Sequence, residues 1–597
     1  MTIRSRRVLV LALLLLLVIS GWLGVRALLA KGQLEDARAQ LRQVRTALES
    51  RDVPAARAAT AEAVRHTDRA VGLTSDPLWR LAELTPIAGR TLLTAGELAV
   101  VADQLTGEVL PELLDAVDTV DPDAFRRPDG SFDLAPLRSA EQPLRDARQQ
   151  AEAAQQRLRD LPQSLVLPPV ADAREDLEDQ TAELVGAVSG AVSGTQIAPL
   201  VLGEDRPRRF FVLVQQTSES RGTGGLPGGF VVLETEKGRL CVTAQGSNAD
   251  LRNEVIPPPA GVPADYVQHY RDFGAFGLWQ NINVSPDLPV VARVIAERWR
   301  RQSGQTVDGV IAVDSQALAQ LLRGAGPIPL PGGRELRPED IVDYLAVGQY
   351  RDFAPPTGAT GIDRSEERKQ VLARISQAAT QRLVSGGGDS EQLLLGIVEA
   401  LRSGHLRMTS WDAPLGPLLA DAGVDGALPK GEAPVAYPVV FNSTGGKLDH
   451  WLERAVRYDA GPCEGPRRRS TITVELRNAA PTSGLPPYLT TRIDENGLTT
   501  SSTNAVTLQV YGTRGAVLED ASLDGQPISR RVRSDGQFLR QSEEGGLPMW
   551  HLRVELPPEQ TRRLELRLVE PVVPGEARVP EQPLARPLSR TVDVPAC

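Results

Sequence analysis

The feature that most constrains this chain is an uncharged stretch close to its N-terminus. Residues 8–25, VLVLALLLLLVISGWLGV, carry no charged side chain and follow Arg4, Arg6 and Arg7. As a helix this stretch would span roughly 27 Å, close to the thickness of a bilayer core. Because basic residues flank the cytoplasmic side of a membrane span, the pattern predicts one anchor with a cytoplasmic N-terminus.

A cleaved signal peptide is the alternative interpretation of this stretch. Its apolar region would be long for such a peptide. A cleavage site requires small residues at two positions, and Leu28-Leu29-Ala30 does not have them at both. We therefore expect residues 1–30 to be an uncleaved cytoplasmic tip and single-pass anchor in the cell membrane. We expect no second span, so that nearly the whole chain is extracytoplasmic.

Charge and cysteine content exclude several classes of protein. The formal net charge is −10 and no basic block stands out, which argues against a nucleic-acid partner. Five histidines and the lack of a Cys-x-x-Cys motif argue against a zinc ribbon. In an oxidising compartment Cys463 and Cys597 could form a disulfide. Cys241 lies within GRLCVTA, a strand pattern, so we expect it to be a buried thiol.

The spacing of apolar residues changes along the chain and predicts a multidomain α+β fold. Residues 31–200 have helical periodicity, which predicts a helical stalk or bundle. Residues 205–385 alternate between strand and helix patterns, as in a central α/β domain. Residues 386–460 look like a connector. Residues 461–597 contain short strands between proline and glycine turns, the pattern of a C-terminal β-sandwich.

A glycine-rich loop stands in the central region, in the stretch SESRGTGGLPGGF. Its polar neighbours and glycines are Glu219, Arg221, Gly222, Gly224, Gly225, Gly228 and Gly229. No lysine and hydroxyl follow as in a P-loop, and Pro227 occupies the third glycine position of a dinucleotide fingerprint. Two interpretations stay open: a strand-to-strand turn whose glycines permit positive φ, or a loop whose bare backbone lets a ligand approach.

Three arginines form a second constellation. Arg351 follows a helical pattern, and Arg364 and Arg368 lie one helical turn apart on one face. The forked donors of arginine suit phosphate oxygens. The alternative is a solvated helix on which Glu366 and Glu367 pair with the arginines.

Several stretches of the chain resemble the bacterial domain-of-unknown-function 4012 family. They are PRRFFVLVQQTSESRGTGGLPGGFVVLETEKGRL, NINVSPDLP at 281–289, VDGVIAVD at 307–314 and NSTGGKLDHWLERAV at 442–456. DPLWRLAELTPIAGR, residues 76–90, resembles the membrane-proximal element that precedes this domain. The resemblance covers roughly residues 76–500. The family name implies no activity.

A second resemblance is to the LytR-CpsA-Psr family. VDGVIAVDSQALAQLLRGAGPIPL, LRPEDIVDYLAVGQYRDF and IDRSEERKQVL follow the order of that family's motifs. Its members have one N-terminal span and move glycopolymers from polyprenyl-pyrophosphate carriers onto the cell wall. The resemblance therefore implies a related central domain and a polyprenyl-linked glycan lipid as partner.

The second resemblance also implies roles for individual residues. Arg351 matches the arginine after a helix, and Arg368 matches the arginine of the R-Q-Q step. Arg364 lies one residue from the expected spacing, and Arg221 is the nearest counterpart of a strand-end arginine. These four arginines would bind the pyrophosphate, and the glycine-rich loop would let the carrier approach.

Acidic residues of the LytR-CpsA-Psr family help to hold a divalent metal, so the same resemblance implies Mg²⁺ with Asp287 or Asp363 as a ligand. We expect an envelope protein that binds, and in its fuller role transfers, a lipid-linked glycopolymer. The alternative is a non-catalytic envelope scaffold or adhesion module, which the helical region and the terminal sandwich would suit equally well.

Overall fold

The computed structural model divides the chain into two compact units. Unit 1 comprises residues 1–125 and 133–199, and unit 2 comprises residues 126–132 and 200–597. The structure describes residues 3–50, 52–86, 88–119, 127, 129–354, 365–385, 388–494, 497–528, 538–595 and 597. A helical N-terminal region and a sheet-rich C-terminal part confirm a multidomain α+β chain.

Unit 1 is built from helices. They are α1 (Ile3–Glu49), α2 (Val53–Thr74), α3 (Pro77–Glu83), α4 (Gly89–Gln104), α5 (Leu110–Thr119), α6 (Ala135–Arg159) and α7 (Pro168–Val201), with a π-turn at Leu105–Val109. Prolines at the first helical turn and aspartates before it begin α2 and α3, because the proline needs no hydrogen bond there and the carboxylate caps free N–H groups.

Small side chains let the helices of unit 1 pack closely. The buried face of α6 carries Ala140, Ala147, Ala151 and Ala154 at helical spacing. Two of these alanines, Ala147 and Ala151, share a cluster with Val188 of α7. The core of unit 1 therefore depends on close helix–helix contact more than on large apolar side chains.

α7 has the length and composition of a helix that could cross a membrane, and 22% of its most apolar window is buried. The sequence led us to expect no second span, so α7 adds a candidate that was not expected. The anchor predicted at residues 8–25 lies on the backbone of α1, whose side chains at 3–13, 15 and 16 are outside the described residues.

The first part of unit 2 contains a five-stranded sheet in the order β3-β2-β1-β4-β7. Its strands are β1 (Arg208–Arg221), β2 (Gly224–Glu236), β3 (Arg239–Ser247), β4 (Gly309–Asp314) and, after the two-residue pair β5 (Ile328–Pro329) and β6 (Glu335–Leu336), β7 (Leu406–Ser410). Only β1 and β4 pair in parallel among these described strands. The sheet is thus mainly antiparallel.

Helices accompany this sheet. They are α8 (Ala264–Tyr270), α9 (Leu288–Ser303), α10 (Ser315–Leu322), α11 (Ile341–Asp343), α12 (Gln349–Asp352), α13 (Ser365–Ser385), α14 (Ser390–Arg402) and α15 (Leu415–Asp421), with a π-turn at Tyr344–Gly348. α9 buries Val291, Ile295 and Trp299 against Phe211 and Phe230 of the sheet. Large aromatic side chains therefore join the sheet to its covering helix.

Two further sheets form the C-terminal part of unit 2. Their elements are β8 (Ala436–Asn442), β9 (Leu452–Ala460), β10 (Arg467–Asn478), α16 (Pro487–Thr490), the hairpin β11 (Thr491–Asp494) and β12 (Gly497–Thr500), β13 (Asn504–Gly512), β14 (Val517–Leu523), β15 (Gln526–Pro527), β16 (Arg540–Glu544), β17 (Leu547–Leu556), β18 (Thr561–Pro571) and β19 (Leu588–Asp593). The strand orders are β15-β14-β18-β10-β9-β19 and β16-β17-β13-β8. One apolar cluster unites side chains from both sheets, among them Val474 and Trp550.

Both cysteines that flank the last segment are joined in a disulfide. The Cα atoms of Cys463 and Cys597 are 6.0 Å apart, and the bond closes a loop across 134 residues of sequence. Cys241, which we expected to be buried, is an exposed free thiol on β3. β3 lies at the edge of its sheet, so one strand pattern does not decide whether both of its faces are covered.

We predict that replacing Cys597 with serine lowers the free energy of unfolding of the purified chain by up to about 5 kcal/mol, because the unfolded chain then regains the entropy of a long loop. Denaturant titration of the oxidised proteins measures this change. Cys241→Ser is the matched control and should unfold at the wild-type midpoint. Equal midpoints for Cys597→Ser and wild type would contradict the prediction.

Candidate functional site

The glycine-rich loop is the tip of the β1–β2 hairpin. At several of its glycines, another part of the backbone lies where a side chain would stand. A Cβ atom on Gly222 would lie 2.2 Å from the carbonyl carbon of Ser285 and 2.3 Å from the oxygen of Val284. A Cβ on Gly225 would lie 2.2 Å from the carbonyl carbon of Gln216. Gly224 has φ of 141°. These three positions therefore exclude any side chain.

A buried amide network holds the hairpin tip. The Nδ2 group of Asn283 contacts the side-chain oxygens of Gln215 and Thr223 and the carbonyl oxygen of Gly225, each at 2.9 Å. Thr223 in turn donates its hydroxyl to Gln215 at 2.6 Å. The stretch NINVSPDLP thus packs directly on the glycine-rich loop.

Arg221 points into the protein at the same tip. Its Nε donates to the carbonyl oxygen of Gln280 at 3.0 Å, and its Nη1 donates to the carbonyl oxygen of Ser220 at 2.8 Å. Burial lowers the pKa of Arg221, although the nearby carboxylates of Glu219 and Asp449 oppose the shift. The described contacts of this guanidinium are therefore those of a structural arginine that satisfies backbone carbonyls.

Asp449 is the charged centre of the interior beside Arg221. Its Oδ2 accepts from the N–H and hydroxyl of Ser220 at 2.8 and 2.7 Å and from Asn442 at 3.0 Å, and its Oδ1 accepts from Asn504 at 2.7 Å. Burial raises the pKa of Asp449, and these donors counteract the shift. The carboxylate thereby joins the central hairpin to β8 and β13.

Two cations lie over one pair of tyrosine rings. The guanidinium carbon of Arg368 is 4.8 Å from the ring centre of Tyr350 and 5.2 Å from that of Tyr488. The Nζ of Lys447 is 6.0 Å and 5.4 Å from the same centres. Lys447 also pairs with Glu219 of the glycine-rich loop. We call these five side chains the cation–tyrosine cluster.

The two cations of the cluster differ in their surroundings. Lys447 is buried, which by itself would lower its pKa, but the Glu219 carboxylate together with Tyr350 and Tyr488 outweighs burial, so the pKa is raised. Arg368 is half-buried and donates to the neutral Oε1 of Gln349 at 2.9 Å. Tyr488 is 48% exposed, so the cluster reaches solvent on its side. An anionic group arriving there would meet a guanidinium that lies within 5.2 Å of the centres of both tyrosine rings.

The helix before the cluster contains an irregularity that sets the direction of its side chains. The π-turn Tyr344–Gly348 lies directly before Gln349 and Tyr350. Such turns insert one residue into a helix and rotate the residues after it, and they are frequent at functional sites. A Cβ on Gly348 would lie 2.8 Å from the Tyr344 ring, so a larger residue there would force that ring to shift. The rotation that the π-turn produces helps to place the Tyr350 ring beside both cations.

A group of buried acids and hydroxyls lies elsewhere in unit 2. Glu544 accepts from Ser285 at 2.6 Å and from Tyr270 at 2.7 Å, and it also accepts from Tyr511. Burial, together with the charge of Glu544, raises the pKa of Asp287 to about 7. Among the residues that the structure describes, the Oδ1 atom of Asp287 has no hydrogen-bond partner. Burial therefore gives Asp287 a pKa close to neutral pH, far above the usual value of an aspartate.

The residues that the sequence grouped as one site differ in their surroundings. Arg221 is interior, Arg351 is exposed at the end of α12, and Arg368 belongs to the cation–tyrosine cluster. Arg364 and Asp363 lie outside the described residues. In the part of the chain that the structure describes, no group of three or more His, Cys, Asp or Glu side chains could hold a metal ion. The Mg²⁺ expected at Asp287 or Asp363 stays a prediction.

Sequence reasoning missed four residues of this interior. Lys447 and Asp449 lie in NSTGGKLDHWLERAV, a stretch noticed for its family resemblance but given no chemical role. Tyr350 adjoins the predicted Arg351, and Tyr488 lies in a proline- and glycine-rich stretch whose composition gives no sign of a functional residue. Each of the four contacts a partner more than one hundred residues away in sequence, and the spacing of residues gives no signal for such a contact.

These features define a multidomain α+β protein with a glycine-tipped hairpin at the centre of its second unit. Residues 205–350 match the family model described as Protein of unknown function (DUF4012). The family resemblance is confirmed over this range, which contains the glycine-rich loop, Asn283 and Tyr350 and is shorter than the range we expected. No curated protein matches the chain.

We predict that Gly222→Ala lowers the free energy of unfolding by several kcal/mol, because its Cβ meets backbone atoms that cannot turn away. Gly228→Ala is the matched control from the same hairpin, since its Cβ would lie 3.1 Å from the side chain of Gln216 and would approach backbone only at 3.9 Å, an ordinary contact distance. Denaturant titration compares the two. Equal stability of both variants would show that the loop yields easily.

Asp287 should make stability depend on pH. Because its pKa is raised from 3.8 to about 7, its stabilising contribution is complete below pH 3.8 and is lost as the pH rises through about 7. We predict that Asp287→Asn is more stable than wild type at pH 8 by a few kcal/mol and gains less at pH 5. The exposed Asp421→Asn is the control. Parallel pH profiles of Asp287→Asn and wild type would refute the assignment.

Proposed function

We propose that this protein is a membrane-anchored extracytoplasmic envelope protein that binds the phosphate end of a polyprenyl-pyrophosphate-linked glycopolymer. The observation that carries the proposal is the cation–tyrosine cluster, in which Arg368 is half-buried above two tyrosine rings and the cluster reaches solvent at Tyr488. The anchor rests on the uncharged stretch at residues 8–25.

Charge and geometry support an anionic ligand at this cluster. Arg368 presents a guanidinium suited to forked phosphate contacts, and its described polar partner, Gln349, is neutral. Lys447 adds a second cation whose charge Glu219 balances in the free protein. A pyrophosphate would lie against Arg368 and draw on the field of Lys447. Of the four arginines in the sequence hypothesis, the proposal keeps Arg368 as its centre.

The finer fold assignments belong to the same proposal. The central sheet with its helices is a LytR-CpsA-Psr-like domain, and the two C-terminal sheets form a β-sandwich whose faces share one apolar cluster. The proposal extends to a transferase that moves the bound glycopolymer to an acceptor. In that form Arg368 and Lys447 would neutralise charge on the leaving pyrophosphate, and no described residue is assigned as a base.

A non-catalytic envelope scaffold is the second candidate. It is favoured by the contacts of the glycine-rich loop and Arg221. The glycines pack against backbone of the same chain, and Arg221 donates its hydrogen bonds to backbone carbonyls. A scaffold needs no ligand, so the cation–tyrosine cluster would then serve only to hold α13 and α16 against the hairpin. The two candidates differ in whether the cluster binds an anion.

Binding of farnesyl pyrophosphate to the purified full-length chain tests the proposal by calorimetry. We predict that Arg368→Ala weakens binding by at least about tenfold, because a charge-assisted contact contributes more than 1.4 kcal/mol. Arg374→Ala, an exposed arginine of the same helix, is the control and should bind as wild type does.

Mass spectrometry of lipid extracted from the purified protein gives an independent measurement. A polyprenyl phosphate that accompanies the wild type and is lost with Arg368→Ala would support the lipid-linked ligand. Absence of binding by the wild type, or equal affinities for Arg368→Ala and Arg374→Ala, would favour the scaffold.

A further inference from the structure

Unit 1 exposes three leucines on one short helix and its end. Leu78, Leu81 and Leu84 are 43%, 64% and 80% exposed, and their spacing of three places them along one side of α3. Trp79 between them is fully buried and donates its indole N–H to the carbonyl oxygen of Leu92 at 3.2 Å. α3 is therefore fastened to the bundle with its leucines turned outward.

A charged contact places α3 beside the predicted membrane anchor. Arg26 is the first charged residue after the uncharged stretch 8–25. Its Nε and Nη2 donate to the carbonyl oxygens of Leu73 and Gly72, each at 2.8 Å, and Nε lies 2.9 Å from Asp76. Asp76 in turn caps the N-terminus of α3. The beginning of α3 is thus held at the level where the anchor ends.

A second exposed apolar segment lies at the same end of unit 1. In the turn between α6 and α7, Leu165 and Leu167 are 66% and 63% exposed. Arg90 donates to the hydroxyl of Ser164 at 2.8 Å, and the N–H of Leu167 donates to Thr91 at 3.1 Å. Because Arg90 and Thr91 begin α4, directly after α3, the turn and α3 are neighbours.

The surroundings of these five leucines suit one occupant, a lipid bilayer. The guanidinium of Arg26 lies 5.5 Å from the ring centre of Trp22, and tryptophan and arginine are the residues that mark membrane interfaces. Arg80 on α3 and Arg90 would face anionic headgroups. Glu83 points instead into the bundle, where burial raises its pKa.

We propose that Leu78, Leu81, Leu84, Leu165 and Leu167 insert into the outer interface of the bilayer that α1 crosses, so that unit 1 stands on the membrane surface. The inference rests on the anchor in the proposed function. It goes beyond that function because an anchor alone would leave unit 1 free on its helix. A helical face of this kind would reach roughly 5–10 Å into the headgroup and acyl boundary.

The test uses the full chain in nanodiscs of phosphatidylcholine and phosphatidylglycerol. Cys241→Ser removes the exposed free thiol, and Cys463 and Cys597 are bonded to each other. Single cysteines then replace Leu81, Leu84 or Leu165 and carry an environment-sensitive fluorophore. Lipids with a spin label near the ester carbonyl quench a fluorophore that reaches the interface, and lipids labelled near the end of the acyl chain quench one at the bilayer centre, where position 14 would lie.

Two control positions separate this inference from the anchor. Leu14→Cys lies within the uncharged stretch and reports whether α1 enters the bilayer. Val117→Cys, on α5, is also an exposed apolar position, at 45%, but lies roughly 40 Å along the bundle from the start of α4. We expect the labels at 81, 84 and 165 to be quenched at least about twofold more than the label at 117.

Every outcome decides the inference. Quenching at position 14, with positions 81, 84 and 165 equal to position 117, would overturn the inference and leave the anchor standing. No quenching at position 14 would remove the anchor and the inference with it. A blue-shifted emission at 81, 84 and 165 without quenching by lipid would show that a protein surface, such as a second copy, covers the leucines, and this would also overturn it.

Discussion

The close approach of two backbones at Gly222 is the contact on which the rest of unit 2 depends. Where a side chain would stand, the carbonyl groups of Val284 and Ser285 occupy the space. This contact brings Asn283 onto the hairpin tip and leaves Ser220 and Arg221 facing the interior. There Ser220 donates to Asp449, and Arg221 donates to a backbone carbonyl. Because interiors are close-packed, one added methyl group here would move several elements at once.

The same hairpin connects the packed interior to the solvent-facing cluster. Glu219 precedes the tip and balances Lys447, while Arg368 shares the tyrosine rings without a carboxylate among its described contacts. A buried cation is stable only when its charge is compensated, and a half-buried arginine on aromatic rings tolerates a missing anion. This difference makes the Arg368 side of the cluster the place where an anionic ligand would gain most.

Much of the local structure could be predicted from sequence, and much of the candidate site could not. Apolar spacing predicted helices before residue 200 and strands near the C-terminus, because each spacing suits one backbone geometry. The sequence left open a turn with positive φ or a ligand loop at the glycines of the hairpin tip; Gly224 has φ of 141°, whereas Gly222 and Gly225 lie against distant backbone, which neither interpretation included. The arginine hypothesis grouped Arg221 with Arg368, although burial, which sequence does not show, gives the two side chains different surroundings.

The sequence by itself determined the alternation of helical and strand segments and the uncharged N-terminal stretch, since these follow from local periodicity and charge. Only the tertiary structure decided that Lys447 meets Glu219, that Arg368 lies on Tyr350 and Tyr488, and that Asp287 lies close enough to Glu544 for burial and charge to raise its pKa. The physical reason is that desolvation and Coulomb energies depend on neighbours brought from distant parts of the chain.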